Sequence, residues 1–127
     1  MNIHRSPDGT GDDFPKIVVK VTDLEAGGPA SGLAYRLARL ETDGWRLVAS
    51  GETDRYGALV YAEVVQQSHY QLRLEVGSYF SPLTRPRFYD PVTLAFHSGA
   101  ASYVHHISVL LSPEGFQTYV EFDPPVR

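Results

Sequence analysis

Residues 101–122 read ASYVHHISVLLSPEGFQTYVEF, and this stretch decides the fold. Apolar and polar residues alternate through most of it, and the tetrapeptide SPEG at residues 112–115 interrupts the alternation. Proline and glycine in such a position are typical of a turn between two strands. Successive side chains on a strand point to opposite faces of its sheet. The stretch therefore predicts two strands joined by a turn.

The rest of the chain repeats this pattern in shorter segments. Turn residues separate the segments roughly every ten residues, which is typical of a β-sandwich or a β-barrel. The Asp43-Gly44 step favours a hairpin, and Pro82 and Pro86 limit residues 81–86 to a loop or a single helical turn. We therefore predict an all-β chain of eight short strands. The predicted strands are residues 17–23, 33–41, 45–53, 58–62, 70–80, 88–97, 101–113 and 115–122.

The length and charge of the chain limit its organisation and its partners. A chain of 127 residues is near the commonest size for one domain. Residues 1–14 are rich in Gly, Asp and Pro and are predicted to form a disordered N-terminal arm, which leaves residues 15–127 as the folded domain. The formal charge of −4 includes no basic block. Since binding to nucleic acid needs a concentrated basic face, nucleic acid is not an expected partner.

Missing residue types exclude several kinds of chemistry. The chain has no cysteine, which excludes disulfides, cysteine-ligated zinc and thiol catalysis. No segment is long enough to span a membrane, and the N-terminal residues lack the apolar stretch of a secretory signal, so a cytoplasmic location is expected. His105 and His106 would point to opposite faces of a strand and cannot readily chelate one ion. We expect neither a metal nor another cofactor.

Several segments resemble the family that contains transthyretin and 5-hydroxyisourate hydrolase. The resemblance runs in consistent order from about residue 16 to residue 122, and its most specific part is LLSPEGFQTY at residues 110–119. It implies a transthyretin-like sandwich of two four-stranded sheets. The other segments that carry it are VKVTD at 19–23, GPA at 28–30, Trp45, GET at 51–53, Gly57, GSYF at 77–80 and FYDPV at 88–92.

The resemblance also implies an assembly and a place for the ligand. Members of the family form homotetramers, as dimers of dimers, in which edge strands of two subunits pair and a channel runs through the centre. In the hydrolase branch, the channel holds active sites that open the ring of 5-hydroxyisourate, a breakdown product of urate. In transthyretin, the channel carries thyroid hormone without chemistry. A small molecule is therefore the expected partner.

Four positions distinguish the two branches, and the chain departs from the hydrolases at most of them. Lys20 occupies the place of a first-strand His, as in transthyretin, and Ala58 occupies the place of an Arg after the turn glycine. His106 corresponds to the second His of the hydrolase stretch His-Tyr-His-Val-Pro. Residues 119–122, YVEF, replace the hydrolase ending Tyr-Arg-Gly-Ser. One catalytic His and one Tyr remain.

Strand alternation and the resemblance together place one set of side chains on the channel. We interpret His106 as the general base and then the general acid, and Lys20 as an electrostatic stabiliser. Glu121 or Tyr119 would orient the reacting groups. The predicted ligand-binding residues are Thr22, Ser108, Leu110 and Gln117.

Each of these residues also has a purely structural interpretation. His106 would then be a hydrogen-bonded interface histidine, and Lys20 a solvated lysine at the mouth of the channel. Glu121 would be a surface carboxylate near the terminus, and Tyr119 a packed tyrosine at a subunit contact.

Three functions therefore stay open. The leading hypothesis is a diverged relative of 5-hydroxyisourate hydrolase that performs acid–base chemistry, such as ring-opening hydrolysis of a cyclic amide, on a small nitrogen heterocycle. Its first rival is a non-catalytic carrier of the transthyretin type, which Lys20 supports. The second rival is an assembly subunit whose channel is closed by Tyr119 and Phe122.

Overall fold

Two β-sheets, packed face to face, form the protein in a computed structural model that describes residues 16–80, 91–99 and 104–123. The described residues also include one short helix, α1 (Val76–Tyr79), which lies along the chain between two strands of the same sheet. The strands are β1 (Lys16–Asp23), β2 (Gly28–Pro29), β3 (Ala34–Glu41), β4 (Gly44–Glu52), β5 (Ala58–Tyr61), β6 (His69–Leu74), β7 (Val92–His97), β8 (Val104–Ser112) and β9 (Gly115–Asp123).

Sheet A is built around β1. This strand pairs in parallel with β8 along its whole length, and β8 forms an antiparallel hairpin with β9. The other edge of β1 is divided between two short antiparallel partners, because β5 pairs with residues 17–20 and β2 with residues 22–23. Sheet A is therefore about four strands wide, although five strands belong to it.

Sheet B has the order β4-β3-β6-β7, and all its neighbours are antiparallel. The β3–β4 hairpin closes where the Asp-Gly step predicted a turn, and Gly44 adopts a φ of 124°, which only glycine tolerates without strain. A register shift follows Leu37, where β4 carries one extra residue.

The core lies between the sheets and consists of every second residue of the inner strands. Burial of each aliphatic side chain there stabilises the fold by about 1.5–3 kcal/mol, so the alternation itself determines which face of each strand turns inward. The innermost residues include Ile17, Val19, Val21, Leu37, Tyr70, Leu72, Leu74, Ile107, Val109 and Leu111.

The predicted all-β sandwich is confirmed, and the described residues contain nine strands instead of the eight that were predicted. The additional strand is β2, two residues within a segment that was predicted to be only a turn. The predicted strand at residues 70–80 is wrong beyond Leu74, since Val76 begins a single helical turn while its side chain remains buried. The helix is tied to sheet A because the Tyr79 hydroxyl donates a 2.7 Å hydrogen bond to Asp23 Oδ2. The predictions for residues 1–14 and 81–86 lie outside the described residues.

Candidate active site

The outer face of sheet A brings together all eight residues that were predicted to line the channel. The strand register places them in three rows that cross β1, β8 and β9. His106 and Glu121 form the first row, Lys20, Ser108 and Tyr119 the second, and Thr22, Leu110 and Gln117 the third.

The first row pairs an imidazole with a carboxylate. His106 on β8 lies directly opposite Glu121 on β9. Directly opposite residues of antiparallel strands have Cβ atoms about 4.5–5.5 Å apart, within reach of a side-chain hydrogen bond. His106 is half-buried and Glu121 is exposed. This row can position a proton-transfer group and a partner that orients it.

The second row contains the amine and the phenol. Lys20 on β1 lies opposite Ser108, and Ser108 lies opposite Tyr119. Lys20 is exposed, and the side chain of Tyr119 is 56% exposed. Because Lys20 and Glu121 are on the two strands that flank β8 and belong to different rows, their Cα atoms are about 10 Å or more apart. Glu121 is therefore closer to His106 than to Lys20 and can interact directly with His106.

A turn beside Lys20 adds a carboxylate that sequence reasoning missed. Asp54 Oδ1 accepts hydrogen bonds from the backbone N–H groups of Tyr56 at 2.8 Å and Ala58 at 3.0 Å. The bond from Ala58, followed by the bond from Tyr56, lowers the pKa of Asp54, and the positive charge of Lys20 lowers it further. Asp54 thus stays ionised near the Lys20 ammonium. In the sequence Asp54 belongs to an ordinary turn segment, and nothing there indicated that its carboxylate would lie near Lys20.

Gly57 brings this turn against the strand that carries Lys20. Its φ is 74°, and an added Cβ would overlap the carbonyl oxygen of Val21. The backbone N–H of Val21 donates a 2.8 Å hydrogen bond to the carbonyl of Gly57. This close approach requires glycine and fixes the start of β5 next to β1.

The pairing of β5 with β1 adds two further residues to the face. Ala58 lies opposite Lys20, and Val60 lies opposite Val18. Val60 is 58% exposed. The resemblance had placed Ala58 at the site, but nothing in the sequence placed Val60 there, because alternation within each strand does not reveal which strands become neighbours.

His105 is on the opposite face from His106, as the alternation predicted. Its side chain is 1% exposed in the interior. Burial lowers the pKa of His105 below its ordinary value, and hydrogen bonding with the backbone of Lys16 and Ser98 acts in the other direction. Within residues 16–80, 91–99 and 104–123, no group of three or more His, Cys, Asp or Glu side chains could hold a metal ion.

The sequence and the fold match those of known proteins. A family model described as the HIUase/Transthyretin family matches residues 17–120. The chain belongs to the HIUase/transthyretin family. A relative in this family, 5-hydroxyisourate hydrolase 2 of Rhizobium meliloti, is 32% identical over 112 residues, which cover 82% of this chain and 93% of the relative.

Solved structures of both branches of the HIUase/transthyretin family share the fold. Transthyretin from Sparus aurata matches with a TM-score of 0.77 and 22% identity, over 84% of this chain and 97% of that chain. Klebsiella pneumoniae 5-hydroxyisourate hydrolase matches with a TM-score of 0.71 and 23% identity, over 84% of this chain and 98% of that chain. At such identities the structural likeness establishes the fold alone. None of the helices in the described ranges is long and apolar enough to cross a membrane.

Proposed function

We propose that the protein is an enzyme that opens a ring amide of a small nitrogen heterocycle on the outer face of sheet A. The observation that carries this proposal is the face that His106 and Glu121 share with Lys20 and Tyr119. Relatives named 5-hydroxyisourate hydrolase support the reaction class. The compound in their name is the first substrate to test.

In the proposed mechanism, His106 acts first as a base and then as an acid. It takes a proton from a water molecule, and the water oxygen attacks the carbonyl carbon of the ring amide. The C–N bond then breaks, and the proton passes from His106 to the leaving nitrogen. Imidazole suits both steps because it exchanges a proton near neutral pH.

Glu121 orients His106 in this mechanism. A carboxylate that accepts a hydrogen bond from one imidazole nitrogen fixes the tautomer, and it stabilises the imidazolium formed when the other nitrogen takes a proton. The cross-strand position of Glu121 supports this role. By resemblance the hydrolases have a small residue at this place, so the carboxylate is a feature of this chain.

Lys20 stabilises the negative charge that develops on the carbonyl oxygen. By resemblance, the hydrolases have a His at the position of Lys20 and an Arg at the position of Ala58, and these two positions lie opposite each other. One ammonium thus replaces two polar groups at this corner of the site. An ammonium cannot form the paired hydrogen bonds of a guanidinium, so we propose a substrate with fewer acceptor atoms at this corner.

The remaining residues of the face contact the substrate. Ser108 and Tyr119 lie beside Lys20 in the second row and supply hydroxyl groups that can bind ring oxygens or nitrogens. Thr22, Leu110 and Gln117 form the row beyond and bound the site on that side. These assignments rest on the shared face and on the resemblance.

We propose that the site is completed by other subunits, in a homotetramer arranged as a dimer of dimers. In a single chain Lys20, Tyr119 and Glu121 are exposed, whereas acid–base chemistry of this kind gains from exclusion of water. Val60 and Tyr119 expose large apolar surfaces on the same face. Among the described strands, none pairs with the outer edge of β9, where Phe116 and Val120 are also exposed.

A non-catalytic carrier is the alternative, and Lys20 favours it because this position follows the transthyretin pattern. His106 and Glu121 favour the enzyme instead, since an imidazole beside a carboxylate is an arrangement that acid–base catalysis uses. A carrier would bind a planar ligand between subunits and release it unchanged.

The test measures hydrolysis of 5-hydroxyisourate and of related cyclic amides by the wild-type protein and by His106→Ala. We expect the variant to lose about 100-fold or more in kcat/KM, since general acid–base catalysis contributes about 10²–10⁴-fold. His69→Ala is the matched control, because this exposed histidine lies on sheet B, and it should keep full activity.

Oligomeric state is measured on the same samples. Unchanged turnover in His106→Ala would remove His106 from the mechanism. Ligand binding by the wild type with no product from any cyclic amide would instead favour the carrier.

A further inference from the structure

A pocket of about 380 Å³ lies at one end of sheet B, where Tyr70 and Phe96 of the inner face line it together with side chains of the outer face, and it has no part in the proposed hydrolysis. One wall is a row of side chains that crosses all four strands at one end of the sheet. Trp45 lies opposite Leu40, and His69 lies opposite His97. The register between β3 and β6 brings Leu40 beside His69 and joins the two pairs. The row therefore places one aliphatic and three aromatic side chains in a line.

The next row of side chains borders the pocket at Ala95. Ala38 lies opposite Leu47 and Gln71, and Gln71 lies opposite Ala95. The small side chain of Ala95 lines the pocket and leaves space beside the larger side chains of the first row, while Gln71 stands between Ala95 and Ala38. A volume of this size is within the range of small-molecule sites, about 300–1,000 Å³.

The polar groups of the pocket wall are suited to donate hydrogen bonds. The Nδ1 atom of His97 accepts a 3.2 Å hydrogen bond from the N–H of Gly99, so the neutral ring carries its proton on Nε2. The indole nitrogen of Trp45 can only donate. The rings of His69 and His97 meet edge to face at 4.7 Å, an arrangement that a further flat ring can extend. None of the described lining residues is a carboxylate.

The third row adds positive charge. Arg36 lies opposite Arg73 on the same outer face, and both side chains are exposed. Arg73 Nε donates a 2.6 Å hydrogen bond to Glu75 Oε2, whereas Arg36 makes no ion pair with any described residue. Rows of one face are about 7 Å apart along the strands, so Arg36 is in reach of a ligand that fills the hollow and extends past it.

We propose that this pocket binds a small planar aromatic carboxylate. Its rings lie over Ala95 and stack against Trp45 and the histidine pair. Its carboxylate points along the strands towards Arg36, whose charge it neutralises. The site is on the opposite side of the sandwich from His106, so it is a second site that does not depend on the proposed catalysis.

The probe for this site is 2-naphthoate, with the neutral naphthalene-2-methanol as its matched analogue. Trp45 is the single tryptophan of the chain, so a change in its emission reports directly on the pocket. We expect saturable binding by calorimetry together with a change in this emission. The neutral analogue should bind at least fivefold more weakly.

Variants then separate the parts of the site. Ala95→Leu fills the hollow and should weaken 2-naphthoate binding at least tenfold. Arg36→Gln should weaken it at least fivefold and leave the neutral analogue unaffected. Arg55→Gln, an exposed arginine in the turn before β5, should leave both affinities unchanged. Circular dichroism checks that each variant is folded.

Two results would overturn the proposal. One is the absence of saturable 2-naphthoate binding by the wild-type protein. The other is binding that Lys20→Ala weakens while Ala95→Leu and Arg36→Gln leave it intact, since such binding belongs to the outer face of sheet A.

Discussion

His105 and His106 are neighbours in the chain, but strand alternation gives them different environments. His106 is half-buried on the outer face of sheet A, opposite a carboxylate, while His105 is enclosed in the interior. In the proposed mechanism the first exchanges protons with a substrate, whereas burial of the second favours its neutral form. At the scale of single residues, position on the strand decides the chemistry that the same imidazole can perform.

The buried histidine predicts how stability depends on pH. Burial lowers the pKa of His105 in the folded chain, whereas in the unfolded chain the pKa of the same imidazole is about 6.5. As the pH falls, the unfolded chain therefore protonates the His105 imidazole before the folded chain does. The stability that comes from the buried neutral imidazole is fully present above about pH 6.5 and is lost as the pH falls below that value. Urea unfolding at pH 7.5 and pH 5 should show a smaller loss of unfolding free energy in His105→Phe than in the wild type. His97→Phe, at an exposed strand end, serves as the control. An equal loss in His105→Phe and the wild type would show that His105 does not contribute.

At the scale of elements, local sequence signals predicted the strands and the faces of their side chains, but they did not predict which distant strands pair with each other. The Asp-Gly step located the β3–β4 hairpin, and the alternation of residues 104–121 correctly separated His105 from His106. The parallel pairing of β1 with β8 joins segments more than 80 residues apart, and nothing in the sequence predicted it. Only the family resemblance placed Lys20 and Thr22 on the same face as His106. The division of one edge of β1 between β2 and β5 had no signal in the alternation. The helical turn at residues 76–79 was missed because Val76 is buried in either conformation.

Gly57 tests the contact that holds β5 against β1. Gly57→Ala should destabilise the fold by about 2–4 kcal/mol, because alanine is strained at a φ of 74° and its Cβ would overlap the carbonyl oxygen of Val21. Gly115→Ala is the matched control, since an added Cβ there meets no heavy atom within 4 Å. Denaturant unfolding measures both variants. Equal stabilities would contradict the close approach of the two strands.

At the scale of the whole molecule, the two sheets present outer faces of different character. Sheet A exposes ionisable side chains that its register brings into adjacent rows, and sheet B exposes an aromatic row beside two arginines. The sandwich keeps the two faces apart, so a ligand on one face need not touch the other. The proposed hydrolysis requires that another subunit cover sheet A, because its catalytic side chains are exposed to solvent in a single chain.

The specific activity of the wild-type protein, measured against subunit concentration, tests this requirement most directly. The ring-opening rate is recorded on samples diluted through the range in which sedimentation shows the assembly to dissociate. If subunits together complete the site around His106, activity per subunit should fall in step with the loss of the assembly. Activity per subunit that stays constant after dissociation would contradict a site built between subunits.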